Sequence, residues 1–142
     1  MTIRLKHARE AASVEDGARV LVDRRKPVAV PKESLELRAW LPVLAPSDEL
    51  RRWFKERPRQ WPLFRRRYLV ELRDQKTAEA LGALHGIAGS EPNMTLLTAA
   101  KDPERSHAAI LRDLLEGAKK PPATSGAARA ASGGGIRARR NR

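Results

Sequence analysis

Apolar residues fall along this chain in three kinds of pattern. The first is a short alternation: in Thr2 to Lys6, Ile3 and Leu5 share one face, which predicts a strand. The second is a continuous apolar run. Ala18 to Asp23 (ARVLVD) and Met94 to Ala100 (MTLLTAA) are apolar or β-branched at both parities. Such runs suit strands buried on both faces of a covered parallel sheet. The third is helical spacing. Leu37, Trp40, Leu41 and Leu44 predict a helix over Glu33 to Leu41, which Pro42 should end or kink. Leu50, Trp53 and Phe54 form the stripe of a helix opened by Ser47 as N-cap. Asp48 and Glu49 stand in its first turn, where the helix dipole favours anions, and Arg57-Pro58 stops it.

The clearest periodicity is Trp61, Phe64, Tyr68 and Leu72, which recur at i, i+3, i+7 and i+11. Leu81, Leu84 and Ala88 face inward from a helix over Ala78 to Ala88, and Gly89 to Asn93 forms a turn. A last helix carries His107, Ile110, Leu111, Leu114 and Leu115 on its inner face. Asp102 caps it, Pro103 takes its first position and Gly117 ends it. Glu15-Asp16-Gly17 is a turn, and Arg24 to Pro31, with two prolines, is a loop. The predicted fold class is therefore α/β: a small, mostly parallel sheet of about three strands covered by about five helices. Ala18 to Asp23 and Thr95 to Ala100 are its central strands, and the Trp- and Phe-bearing helices form a subdomain inserted between them.

From Lys119 onward Pro, Gly, Ala, Ser and Arg dominate, and such a segment cannot bury enough apolar surface to offset the entropy of ordering. It predicts one domain over residues 1–117 and a disordered basic tail over 118–142.

Charge adds a second layer to this picture. The 142 residues carry a net charge of +12, but unevenly. Arg51 to Arg67 holds +7, Gly117 to Arg142 holds another +7, and the remainder is close to neutral at −2. Two basic regions on a neutral body attract phosphates, anionic lipid or acidic partners without choosing among them. With no cysteine there are no disulfides, thiolate metal sites or cysteine nucleophiles. No apolar run is long enough to span a bilayer, and Met1 to Glu10 lacks the apolar core of a secretory signal. The expectation is a cytoplasmic protein without membrane insertion.

Four blocks coincide with one known family. They are DGARVLVDR (Asp16 to Arg24), LAPSDELRRWF (Leu44 to Phe54), FRRRYLVEL (Phe64 to Leu72) and TLLTAAKD (Thr95 to Asp102). In order and spacing they resemble the YeaO-like proteins, domain-of-unknown-function family 488, over about Ile3 to Leu115. The resemblance implies one α/β domain of undetermined function. Three family runs are replaced. Leu-Trp-Pro-Arg-Gly stands here as Arg25-Lys26-Pro27-Val28-Ala29, Gly-His-Asp as Lys55-Glu56-Arg57, and His-Asn as Arg105-Ser106. The kept positions are mainly apolar or turn-forming and the lost ones include polar groups able to do chemistry. The resemblance thus implies a retained fold without the family's usual polar motifs.

Three functional readings follow. In open α/β sheets ligands bind beyond the carboxyl ends of the strands. That nominates a small-anion or phosphate site of Arg24 and Lys101 with Arg19, Asp23 and Asp102, beside the plain alternative that Asp102 is only a cap and Asp23 pairs with a neighbouring arginine. The second reading is a nucleic-acid surface. Arg51, Arg52, Lys55, Arg57, Arg59, Arg65, Arg66 and Arg67 interleave with aromatic residues, joined by Arg137, Arg139 and Arg140 of the tail. Because those aromatics lie on core stripes, this face predicts salt-sensitive, non-specific binding; the plain alternative is a solvated charged face.

The third reading is a degenerate enzyme. His7, His85, His107, Asp16, Asp23 and Glu71 are conceivable acid–base groups. His107 reads as packed, His85 as a surface residue and Glu71 as the ion-pair partner of Arg67 one turn away. No phosphate loop, nucleophile elbow or metal-binding spacing is present. The sequence therefore assigns no catalytic residue, metal or cofactor. A non-catalytic polyanion-binding module is its leading reading, with the anion site or degenerate enzyme as the alternative.

Overall fold

The computed structural model describes residues 2–119, so the basic terminus with Arg137, Arg139 and Arg140 lies outside the described residues. Four strands form one parallel sheet: β1 (Thr2–His7), β2 (Ala18–Leu21), β3 (Ala39–Trp40) and β4 (Asn93–Thr98), in the order β1-β4-β2-β3. The two apolar runs are the interior strands, as their patterning required. Every residue of β2 is buried, and Val20 sits opposite Leu96 in β4. Parallel strands need crossovers, and the described residues supply five helices. These are α1 (Lys32–Leu35), α2 (Asp48–Glu56), α3 (Trp61–Glu71), α4 (Gln75–Ser90) and α5 (His107–Lys119).

The larger core lies on one face of the sheet. There Val20, Val22, Met94 and Leu96 meet Leu50, Phe64, Tyr68, Leu84, Ile110, Leu111 and Leu115 from α2 to α5. The opposite face is covered more thinly. Leu21 and Leu97 pack with Ala8 and Leu35, and Val30 and Leu37 lean against them from the β2–β3 connection.

Three local expectations are corrected. The helix predicted over Glu33 to Leu41 is only the single turn of α1, ended by Glu36 in the left-handed region at φ 46°. The chain then becomes β3. The Arg38 and Leu41 N–H groups donate to the Arg19 and Leu21 carbonyls, at 2.7 and 2.9 Å. The buried edge of β2 would otherwise hold unpaired backbone groups, and that requirement outweighs helical spacing. The leucines behind the pattern divide, Leu37 going to the thin face and Leu41 and Leu44 to the main core. The sheet accordingly has four strands rather than about three.

The second correction concerns the last helix. Asp102 and Pro103 open a separate 3-10 turn, Pro103–Arg105. The helix itself begins at His107, with the Ser106 hydroxyl accepting from the Ala108 N–H at 3.2 Å. The third is that α5 runs past Gly117 to Lys119.

One glycine is required by close approach. Gly17 has φ 63°, and a Cβ there would collide with the Asn93 backbone. This contact lets the Thr95 hydroxyl donate to the Asp16 carbonyl at 2.8 Å and fixes the start of β2 against β4.

Candidate functional site

The crevice beyond the carboxyl ends of β2 and β4 is filled by the protein's own polar contacts. Asp23 follows β2, and its carboxylate accepts from the Thr98 hydroxyl at 2.8 Å and the Ala99 N–H at 2.7 Å. Its backbone carbonyl accepts from the Trp40 indole at 2.8 Å. The expected arginine partner of Asp23 is thus replaced by the end of β4. His107, the first residue of α5, places Nε2 at 2.9 Å from the Val22 carbonyl and 3.4 Å from Asp23. Both neighbours are acceptors, so Nε2 carries the proton. Burial lowers the pKa of His107, opposed by the Asp23 carboxylate and the Val22 carbonyl. Its ring meets Tyr68 edge-on at 5.8 Å, and the Tyr68 hydroxyl donates to the Leu44 carbonyl at 2.6 Å. Burial pushes the Tyr68 phenol well above its usual range, with Glu71 and Asp23 adding to the shift. His7 is engaged too: Nδ1 accepts from the Arg9 N–H at 3.1 Å, so Nε2 donates to the Ala99 carbonyl at 3.2 Å.

The five residues nominated for an anion site do not come together: four follow β2 or β4, and Arg19 stands near the other end of β2. Arg24 reaches away from the crevice, donating to the Pro46 carbonyl at 3.2 Å and lying 4.0 Å from Asp48 at the start of α2. Lys101 is exposed on the β4–α5 connection, and Asp102 caps the 3-10 turn by accepting from the Glu104 N–H at 3.1 Å. A shallow surface depression of about 540 Å³ is bordered by Lys26, Lys32, Glu33, Glu36, Leu37, Ala39 and Trp40, and none of the five lines it.

Arg19 lies near the opposite end of β2. It is 3% exposed and donates to Asp16 at 2.6 Å and to the Leu35 carbonyl at 2.7 Å. Its Nη2 is buried with no partner among the described residues. Asp16 also accepts from Lys6 at 3.0 Å and from the Ser13 backbone and hydroxyl, each at 3.0 Å. Burial alone would raise the carboxyl of Asp16, but these donors hold it well below the usual carboxylate range.

The α2–α3 face has the opposite character. Ser47 caps α2, its hydroxyl accepting from the Leu50 N–H at 3.1 Å. Glu71, from the end of α3, accepts from the Ser47 hydroxyl at 2.6 Å and the Ser47 N–H at 2.9 Å. The predicted Glu71–Arg67 ion pair is therefore absent, because Glu71 ties the two helices together instead. Inside the pair, Phe54 stacks on Phe64 at 4.3 Å between ring centroids, and Trp61 lies 5.6 Å from Phe64.

Outside, Arg51, Arg52, Lys55, Arg59, Arg65, Arg66 and Arg67 are exposed. Arg51 has a solvent-exposed partner, Asp48, at 3.7 Å. Among the described residues, Arg52, Lys55, Arg59, Arg65, Arg66 and Arg67 have no carboxylate within ion-pair distance. The tryptophans are half-buried, and arginines lie over them. Arg67 is 4.4 Å and Arg57 5.5 Å from the centroid of Trp53, and Arg105 is 5.7 Å from that of Trp61. Sequence spacing identified the basic residues of this face but not the ring contacts, of which Arg67–Trp53 and Arg105–Trp61 join side chains from different elements.

Comparison with known proteins agrees with the motif reading. A family model described as the inactive DUF488-N3 subclade matches residues 2–132. The uncharacterized protein Rv3073c of Mycobacterium tuberculosis (strain ATCC 25618 / H37Rv) is 37% identical over 115 residues, covering 81% of this chain and 94% of the relative. The uncharacterized protein YeaO of Escherichia coli (strain K12) is 36% identical over 115 residues, covering 81% of this chain and 97% of YeaO. No solved structure matches.

Proposed function

Because the chain belongs to the YeaO-like DUF488 family, and matches the subclade described as inactive, we propose that it is a non-catalytic binding module for polyanions, nucleic acid foremost. One observation carries the reading: α2 and α3 hold a row of exposed cations, and among the described residues Arg52, Lys55, Arg65, Arg66 and Arg67 have no carboxylate within ion-pair distance to neutralise them. Each such cation can release a counterion from a nucleic-acid backbone, which is the main source of non-specific affinity. The strand-end crevice supports the same reading from the other side. Asp23, His107, Tyr68 and His7 have acid–base capacity there, and each is engaged in bonds within the protein.

The test is fluorescence anisotropy of the full chain with a labelled oligonucleotide at several salt concentrations. Contact with about five phosphates gives a slope in log K against log salt of about −4.5 on a duplex and about −3.5 on a single strand. No binding at low salt, or an affinity indifferent to salt, sinks the proposal. No helix among the described residues is long and apolar enough to cross a membrane.

A further inference from the structure

We propose that the nucleic acid engaged by this chain is single-stranded, and that the Arg67 guanidinium, held over Trp53, is a stacking platform for an unpaired base; the proposal rests on the polyanion reading above. An arginine can be positioned in two ways. A carboxylate positions it but neutralises its charge and occupies its N–H donors. An aromatic ring positions it while leaving both charge and donors available. Helical spacing offers Arg67 a carboxylate at Glu71, one turn away, and the fold removes it by giving both Glu71 oxygens to Ser47. Arg67 is left exposed, 4.4 Å from the Trp53 centroid, with no ion pair among the described residues.

A charged plane fixed in place suits a specific job. Unpaired bases stack on aromatic rings and on guanidinium planes, each stacked base adding sequence-tolerant affinity, whereas a duplex keeps its base faces covered. Exposed Arg52, Lys55, Arg65 and Arg66 on the same two helices supply phosphate contacts around the platform. The arrangement repeats in weaker form at Trp61, where Arg105 lies at 5.7 Å. Bare electrostatics would need only exposed cations; the ring-held arginine is the feature that distinguishes a strand with free bases from a duplex.

Anisotropy at low salt, with labelled oligothymidine and a duplex of equal length, separates the two. The full chain should prefer the single strand. Arg67→Lys keeps the charge and removes the plane. It should weaken oligothymidine binding about tenfold, the scale of one stacked base, and leave duplex binding within about twofold. Arg73→Lys, the same exchange at an exposed arginine just beyond the end of α3 and outside the platform, should leave both within about twofold. If Arg67→Lys binds oligothymidine as the parent does, or if the parent binds duplex equally well, the platform is wrong while the polyanion reading stands. If neither probe binds, both fall together. Thermal melting of the two variants at the parent's temperature assigns any loss to binding rather than folding.

Discussion

Arg19 and Arg67 carry the same guanidinium into opposite surroundings. Arg19 lies under the thin face of the sheet, bonded to Asp16 and the Leu35 carbonyl, while Asp16 gathers Lys6 and Ser13 as well. Arg67 stands on the outside of α3 over an indole, and the nearest carboxylate along its helix is occupied by another residue. A buried charge is tolerable only when the fold supplies its partners, so Arg19 belongs to the architecture. An exposed charge needs no internal partner, and leaving it without one keeps its donors for something in solution. The Asp23–His107 contact falls on the Arg19 side of this divide. The end of the sheet where α/β folds usually take ligands is closed by the protein's own bonds, and the unspent charge is on the helices.

The comparison breaks most visibly at Asp16. Asp16→Ala strands Arg19 and Lys6 without their shared carboxylate, and loss of one partner of a buried pair costs roughly 3–5 kcal/mol. Urea unfolding should show a loss of that size, whereas Arg67→Ala should change stability by less than about 0.5 kcal/mol. If the two variants unfold at the same midpoint, the burial distinction has no energetic content. Reversing charge on the helices should do the converse. Arg65→Glu with Arg66→Glu should leave the melting temperature nearly unchanged, weaken oligonucleotide binding by at least about tenfold at low salt, and flatten the salt slope.

A smaller effect tests the closed crevice. Burial depresses the pKa of His107 in the folded protein below its ordinary 6.5, against the upward pull of Asp23 and the Val22 carbonyl. The unfolded chain therefore takes up the proton more readily than the folded one. Stability from the neutral ring is fully present above about pH 6.5 and declines as pH falls below that value. Asp16 does not interfere, because its carboxyl titrates far lower. The denaturant midpoint should drop between about pH 7 and about pH 5, and the drop should shrink in His107→Gln, which retains a donor for Val22 and cannot titrate. An equal drop in both would assign the dependence to other groups.

These contrasts also show how much could be read before the structure. The interior strands β2 and β4 were legible because residues buried on both faces must be apolar at both parities. The stripe of α3 was legible because its partners all lie on one side. β3 was not, since its two residues are extended to satisfy the backbone of β2, a demand that leaves no trace in their own side chains. The Asp16–Lys6–Arg19 cluster hid behind a turn pattern, which explains Asp16 without a buried ion pair. The basic face was visible as composition. Its distinguishing feature, a carboxylate withdrawn from Arg67 by a serine 24 positions before Glu71, depends on a contact between helices.

That contact yields the smallest prediction and the one that joins the two regions. Ser47 caps α2 and binds Glu71, so Ser47→Ala should cost about 1 kcal/mol of stability, the usual scale for a lost N-cap. The substitution also releases one Glu71 oxygen, Oε2, from the serine hydroxyl at 2.6 Å, although Oε1 keeps the backbone N–H of residue 47. A partly freed carboxylate one turn from Arg67 forms the i,i+4 pair that helix geometry offers, worth a few tenths of a kcal/mol. Arg67 would then trade its ring for an acid, and oligothymidine affinity should fall by about twofold with the charges of the face unchanged. Glu71→Gln added to Ser47→Ala should restore that affinity without restoring the stability. If the double variant binds no better than Ser47→Ala, Glu71 does not govern Arg67, and the charge left on this face owes nothing to the way the helices are tied.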